Sequence, residues 1–491
     1  MNRYKYIFLI FMHCFILLKC LNSDKDNFHD FKKREKIIFR QASTFDPNKI
    51  RKPILQTVEA IAQNNQLDSS CVGIGCAKTK QYKRFESLLE KGNLQEFDEL
   101  INHPNAVIKA YALQAILNKQ KPDKIPYFKI LKENLFDESS FLSCPGGCIC
   151  FDRMLGDVFY DHLSSKLAKD ELTQINNLLV YTDNNLSSKQ NVLLEQEINP
   201  NYYRDVKYNT LNSSEDFYII ALARFQKEDD IDLIQNYKCE DEGKICIFQA
   251  ITEFPHPKFL SFLEKEIKLL NNENATDSKW RLFYEALLKY PADTKTISIL
   301  NYPIKHLIGI NQNSSDKYSS ERHLVELSYI VFKKEVIPSY SEIYFKLWEN
   351  TDAQPSPEII KFLCKLEKEK CLNLIEIKFK NIGLNFSQDS TFEMLDMLLL
   401  YRRVTAIKLI IEKLTGCYWS FCELLAKKII EIKDPEFVKP MLKELESNCN
   451  YSYIDALLSY PIENIKIEIK KACLKDKDVD KIWLNDKLKK Q

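Results

Sequence analysis

Ten glycines among 491 residues, about 2%, constrain this chain more than any other feature. The usual share is ~7%. Tight hairpin turns, bulges and phosphate-cradling loops draw on the positive φ that glycine reaches without a Cβ penalty. A long chain so poor in glycine suits helices joined by turns that rarely need that conformation. Hydrophobic residues at 45% and charged residues at 28% are proportions of a folded chain, not a disordered one. The expected class is all-α.

Repetition points the same way. A short apolar helix end, an aromatic and a Pro- or acid-containing turn recur as Ala221-Leu-Ala-Arg-Phe225, Ala250-Ile-Thr-Glu-Phe254, Ala286-Leu-Leu-Lys-Tyr290 and Ala456-Leu-Leu-Ser-Tyr460, with a degenerate copy at Met397-Leu-Leu-Leu-Tyr401. The first two intervals, 29 and 36 residues, are close to the repeat length of helical hairpins. Ser356-Pro357-Glu358 and Asp434-Pro435-Glu436 each supply an N-cap, a proline at the first helical position and an early acid. Ile359, Phe362, Leu363 and Leu366 then mark one helical face. No hairpin of strands is evident. The organisation expected is a leader at 1–23, an irregular lead-in at 24–80 with one helix from Asn48 to Asn65, front repeats at 81–182, a connecting segment at 183–216 and a back array at 217–491.

The clearest unit is His103-Pro-Asn-Ala-Val-Ile-Lys-Ala-Tyr-Ala-Leu-Gln-Ala-Ile-Leu117. Pro104 stands where the helix starts, and Val107, Ala110, Tyr111, Ala112, Ala115 and Ile116 trace a stripe of small and apolar residues. It resembles the HEAT motif, with Lys109 where that family usually has arginine. Residues 125–161, with Asp137-Glu-Ser-Ser and Leu155-Gly156-Asp157, and residues 221–234 resemble exported bacterial HEAT-like proteins. The resemblance is good over 81–300 and thinner beyond. It implies an α-solenoid of HEAT-like helical hairpins and protein–protein binding in general, and it brings no catalytic residues.

Residues 1–23 place two cations before a twelve-residue apolar core at 7–18 and a polar exit, the pattern of a cleaved secretory signal. The core is short for a membrane span, which takes ~20 apolar residues. Leu17-Leu18-Lys19-Cys20 also resembles a lipobox with a lipidated Cys20, and an uncleaved anchor is the third option. All three export the rest of the chain, and a membrane association would run only through this N-terminus. Thirteen cysteines past residue 23 suit an oxidising compartment. They fall in couples: Cys71/Cys76, Cys239/Cys246, Cys364/Cys371 and Cys417/Cys422, with a triplet Cys144/Cys148/Cys150. Cys449 and Cys473 stand apart. The last three couples straddle expected helix-to-helix turns, where Cα atoms can approach to the ~5.5–6 Å of a disulfide. Such short loops contribute roughly 2–3 kcal/mol each in the chain-entropy account. An odd total leaves at least one thiol free, lipidated or shared.

Little else resembles chemistry. Cys144, Cys148 and Cys150 with Asp152, Asp157 and His162 nearby form a possible zinc or redox cluster, but with one C-x₃-C pair rather than two the disulfide reading is favoured. None of the mature histidines belongs to H-E-x-x-H or neighbours a serine nucleophile elbow, and His103 and His256 read as turn residues. Val72-Gly73-Ile-Gly75 lacks the third glycine and lysine of a phosphate loop. Acid runs at Asp229-Asp230 and Glu240-Asp241-Glu242 read as solvated turns. Six N-x-S/T sites, at Asn185, Asn212, Asn274, Asn313, Asn385 and Asn450, are glycan acceptors where the host glycosylates exported chains. Without residues 1–23 the chain carries 67 basic (70 − 3) against 69 acidic side chains, so nucleic acid is not an expected partner. The expected function is therefore binding or scaffolding of a protein or peptide on a concave face, without cofactor or catalytic residues. An enzyme or enzyme-accessory role through the cluster at Cys144–Cys150 and His162 is the alternative.

Overall fold

The computed structural model describes residues 45–491 except 74, 241–243, 271–275, 307–316, 334, 384–385, 416–418, 478 and 491. Among the described residues the chain is mostly helical, with 26 α-helices beside little strand. The chain separates into two compact units, with the division between Asp205 and Val206. No helix among the described residues is long and apolar enough to cross a membrane.

The front unit contains α1 (Lys52–Asn64), β1 (Gln66–Asp68), α2 (Lys80–Lys91), α3 (Leu94–Leu100), α4 (Ala106–Lys119), α5 (Tyr127–Asn134), β2 (Ser140–Gly146), β3 (Ile149–Met154), α6 (Leu155–Leu163), α7 (Lys169–Tyr181) and α8 (Ser187–Leu194). The helix α9 (Tyr203–Asn212) carries the division, so residues 183–216, expected to connect, hold two helices. The front unit is built around α4, in which every residue from Ala106 to Leu113 is buried, as are Ala115 and Ile116. Asn105, not Pro104, caps it: the Asn105 side chain accepts from the Ile108 N–H at 3.1 Å. Helices α1, α3 and α6 all pack on α4, and its alanines permit that close approach.

A three-stranded sheet corrects the expectation that no strand hairpin exists. β1 pairs parallel with β2, and β2 pairs antiparallel with β3. Tyr111 of α4 fixes β1 from below, its hydroxyl accepting from Asp68 N–H at 2.8 Å and donating to the Asp68 carbonyl at 3.2 Å. The scarce glycines are concentrated at the end of this sheet. Gly73, Gly75 and Gly147 adopt φ of +81°, +93° and +62°, where a Cβ is strained. The hairpin was hidden because alternation in β2 is broken by Pro145 and a bulge between Ser143 and Gly146.

One buried network joins α4 to α6. The Lys109 ammonium, 1% exposed, meets the Asp137 carboxylate at 2.9 Å. Asp137 also accepts from the Ser139 N–H and hydroxyl. The Gly156 N–H donates to the Asp137 carbonyl at 2.9 Å. A Cβ on Gly156 would lie 2.0 Å from the Leu135 carbonyl oxygen, so glycine is required for α6 to pack here. Asp157 accepts from the Ser187 and Ser188 N–H groups and the Ser188 hydroxyl, capping α8 from a distance.

The back unit continues with α10 (Phe217–Arg224), α11 (Ile231–Gln235), α12 (Ile245–Glu253), α13 (Phe259–Leu270), α14 (Asp277–Leu287), α15 (Thr294–His306), α16 (Lys317–Val331), α17 (Ser341–Asn350) and α18 (Pro357–Leu366). It ends with α19 (Lys368–Lys380), α20 (Gln388–Tyr401), α21 (Arg403–Leu414), α22 (Trp419–Ile432), α23 (Val438–Leu445), α24 (Tyr451–Leu458), α25 (Ile465–Cys473) and α26 (Lys481–Lys490). Within two successive runs, helices pack on the one two places along. One row runs α10, α12, α14, α16 and the other α11, α13, α15, α17. Past α18 the rows resume as α18, α20, α22, α24 and α19, α21, α23, α25. The recurring sequence phrase sits at row-helix ends, with Ala221, Ala250, Ala286 and Ala456 fully buried. Its terminal tyrosines reach across turns: Tyr290 donates to the His256 carbonyl at 3.0 Å and Tyr460 to that of Asp434 at 2.8 Å. Ser356 caps α18 as its sequence requires, although Leu366 on the expected apolar face is half exposed.

His323 of α16 is buried, stacks on Trp280 at 4.5 Å and pairs its Nδ1 with the Tyr284 hydroxyl at 3.1 Å. Burial pushes its pKa down to about 4. An unfolded histidine titrates near 6.5, so the unfolded chain takes up a proton that the folded one refuses. Stability from this site is whole above pH ~6.5 and drains away as pH falls toward about 4, by on the order of 3 kcal/mol in all. Urea unfolding at pH 7 and pH 4 should register that loss, and His323→Phe, which cannot protonate, should lack it. Equal losses in both proteins would rule the histidine out as the cause.

Candidate functional site

A row of surface aromatics lies at the starts of three back-unit helices. Trp419 opens α22, Tyr451 opens α24 and Trp483 lies in the first turn of α26, at two successive steps of 32 residues. Caps set these positions. The Asn450 side chain accepts from the Ser452 N–H at 2.9 Å, and Asp480 accepts from the Ile482 and Trp483 N–H groups at 2.9 and 3.0 Å. With α22 and α24 packed side by side, their first residues come together. Trp419 and Tyr451 meet edge to face with centroids 5.6 Å apart, and Tyr451 and Trp483 lie 3.9 Å apart.

The row is wet on one side. Trp419 is 60% exposed, Tyr451 40% and the adjoining Ile482 78%, while Trp483 is half-buried. Hydrophobic burial offers no reason to hold three large rings at a surface. Such rings present apolar faces together with an N–H or O–H at the edge, the combination enriched at binding hot spots. The regular 32-residue spacing was available as a signal in the sequence. Which side of each helix its neighbours would leave open was not.

The predicted cysteine sites are mostly joined as couples. Disulfides link Cys71 to Cys76, Cys144 to Cys150, Cys239 to Cys246 and Cys364 to Cys371, with Cα separations of 4.2, 4.3, 6.2 and 5.1 Å. The last joins α18 to α19 across the single residue Glu367, a helix-to-helix junction as expected. Cys422 is disulfide-bonded, and Cys417 lies outside the described residues. Cys148 remains a free, exposed thiol at the hairpin turn. With Cys144 bonded to Cys150, one thiol is left for the zinc or redox cluster. Of its other members, Asp157 caps α8, Asp152 is exposed, and His162 is half-buried, with burial and the nearby Arg153 holding its pKa down. Among the described residues, three ligand-type atoms come within 4.8 Å of one another at Asp216, Cys239 and Cys246, and both sulfurs there belong to a disulfide.

Three smaller expectations are settled by contacts. His103 and His256 each accept a turn N–H on Nδ1, from Asn105 at 3.0 Å and Lys258 at 3.3 Å. Asp230 is not a solvated acid: it is 1% exposed and pairs with Lys207 at 2.7 Å. Asp241 and Glu242 of the other acid run lie outside the described residues. Of the glycan acceptors, Asn185 and Asn212 are exposed, but Asn450 is 3% exposed with its side chain committed to capping α24. Asn274, Asn313 and Asn385 lie outside the described residues. No protein-family model, curated protein or solved structure matches this chain.

Proposed function

We propose that this chain is an exported helical-repeat protein of HEAT-like type that grips a protein or peptide as a binding or scaffold module, without catalysis of its own. The observation that carries the reading is the row of exposed Trp419 and Tyr451 with half-buried Trp483, aromatic side chains of the kind that anchor interfaces. The alternation of helices in two rows supports the solenoid form, whose extended surface offers many contacts rather than one deep cavity. Export is supported by the signal-like residues 1–23, which lie outside the described residues, and by disulfides compatible with an oxidising compartment.

The test is a photo-crosslinking group at position 419 in the full chain, expressed in its native host, followed by affinity measurement with the polypeptide so captured. Trp419→Ala, Tyr451→Ala and Trp483→Ala together should weaken that binding at least ~100-fold, since each anchor contributes roughly 1–2 kcal/mol. A folded triple variant that binds as tightly as the wild type would remove the row from the interface.

A further inference from the structure

Two cysteines that stand far from any couple in the sequence are brought into contact by the fold. Cys449 lies in the turn between α23 and α24, and Cys473 is the last residue of α25, 24 residues on. The Cys473 thiol hydrogen-bonds the Cys449 sulfur. A second link fixes the pair: the Cys449 N–H donates to the Asp476 carboxylate at 2.8 Å, and the Asp476 N–H donates to the Cys473 carbonyl at 3.1 Å. The turn before α24 is thus tied to the turn after α25 by groups that flank both sulfurs. Cys449 is half-buried, Cys473 is buried, and neither is bonded to another cysteine.

We propose that Cys449 and Cys473 form a thiol–disulfide exchange site that reacts with a small-molecule disulfide of the glutathione type and closes into a further disulfide of the protein. Partial exposure makes Cys449 the attacking sulfur, and the hydrogen bond from Cys473 favours its thiolate. The thiolate attacks one sulfur of the small disulfide, breaking its S–S bond and expelling one thiolate. The mixed disulfide no longer carries the charge that holds the Cys473 proton. Cys473 then loses that proton to solvent, attacks the Cys449 sulfur and expels the second small thiolate. Two protein thiols are oxidised and one small disulfide is reduced to two thiols. Closure pins the residue two places before Tyr451 to the end of α25, so the exchange sets how firmly the middle ring of the aromatic row is held.

The experiment uses full-length protein isolated without reductant, exposed to excess oxidised glutathione, acid-quenched, alkylated and digested without reduction. The expected result is one linked peptide pair containing Cys449 and Cys473, lighter by two hydrogens and unalkylated, either on isolation or after the oxidant. Cys473→Ser should arrest at a lasting glutathione adduct on Cys449, and Cys449→Ser should leave Cys473 unmodified. A wild-type protein that retains a glutathione adduct on Cys449, or in which both cysteines alkylate freely after oxidation, overturns the proposal. So does an adduct found on Cys473 instead. Each outcome is independent of whether the aromatic row binds a polypeptide.

Discussion

Replacing Lys109 by alanine is expected to lower the unfolding free energy of the front unit by about 3–5 kcal/mol, as breaking a buried ion pair from one side does. The Lys109 and Asp137 side chains are 2% and 5% exposed and meet at 2.9 Å. Removing the ammonium takes its charge away from a buried carboxylate that keeps hydrogen bonds from the Ser139 N–H and hydroxyl. The lost stem adds a cavity in the first turn of α4, where every neighbour from Ala106 to Leu113 is buried. Replacing both partners, Lys109→Met with Asp137→Leu, should recover most of that loss, because no uncompensated charge remains. Urea unfolding of the three variants decides the matter. If the single variant unfolds within about 0.5 kcal/mol of the wild type, the pair is not desolvated as described.

Gly156→Ala should be nearly as damaging, at about 3 kcal/mol or more, although it adds a single methyl group. The new Cβ would meet the Leu135 carbonyl oxygen at 2.0 Å and the Leu186 side chain at 3.0 Å. A side chain can rotate away, but the Leu135 carbonyl belongs to the backbone just past α5. Relief therefore requires α6 to move off α5, which strains the Gly156 N–H bond to the Asp137 carbonyl. Adding Leu186→Ala should not rescue the variant, since it removes only the weaker of the two clashes. Circular dichroism melting would show this as a lower midpoint in both the single and the double variant. Rescue by Leu186→Ala would mean that side-chain crowding, not backbone overlap, dominates. Because Gly156 and Asp137 share a hydrogen bond, losses from the two sites should not add.

The helices were legible because each carries its own instructions. Ser356 with Pro357 caps α18, Asp434 with Pro435 caps a single 3-10 turn that leads into α23, and apolar spacing does the rest. Close cysteine couples were legible for the same reason, since five or seven residues cannot stray far, whereas the choice of Cys150 over Cys148 as the partner of Cys144 was not. What failed depends on distant partners. β1 is ordered by β2, more than 70 residues on, and by a tyrosine hydroxyl 43 residues on. Asp137, Gly156 and Asp157 looked like members of a family pattern, yet their reasons lie in Lys109, Leu135 and Ser188. The meeting of Cys449 with Cys473 needed the packing of α24 on α25, and the aromatic row needed to know which helix faces stay uncovered.

The two rows of helices in the back unit also determine how that unit comes apart. The substantial contacts join elements close in chain order, so loop-closure entropy is spent in small increments rather than in one long-range event. Any stretch of several helices can act as a nucleus and recruit the next, in the manner of a one-dimensional chain of coupled sites. Cooperativity then has a finite reach. A lesion near α12 loosens its immediate neighbours while α24 can stay folded, and the steepness of denaturant unfolding reports that reach rather than the full length of the unit.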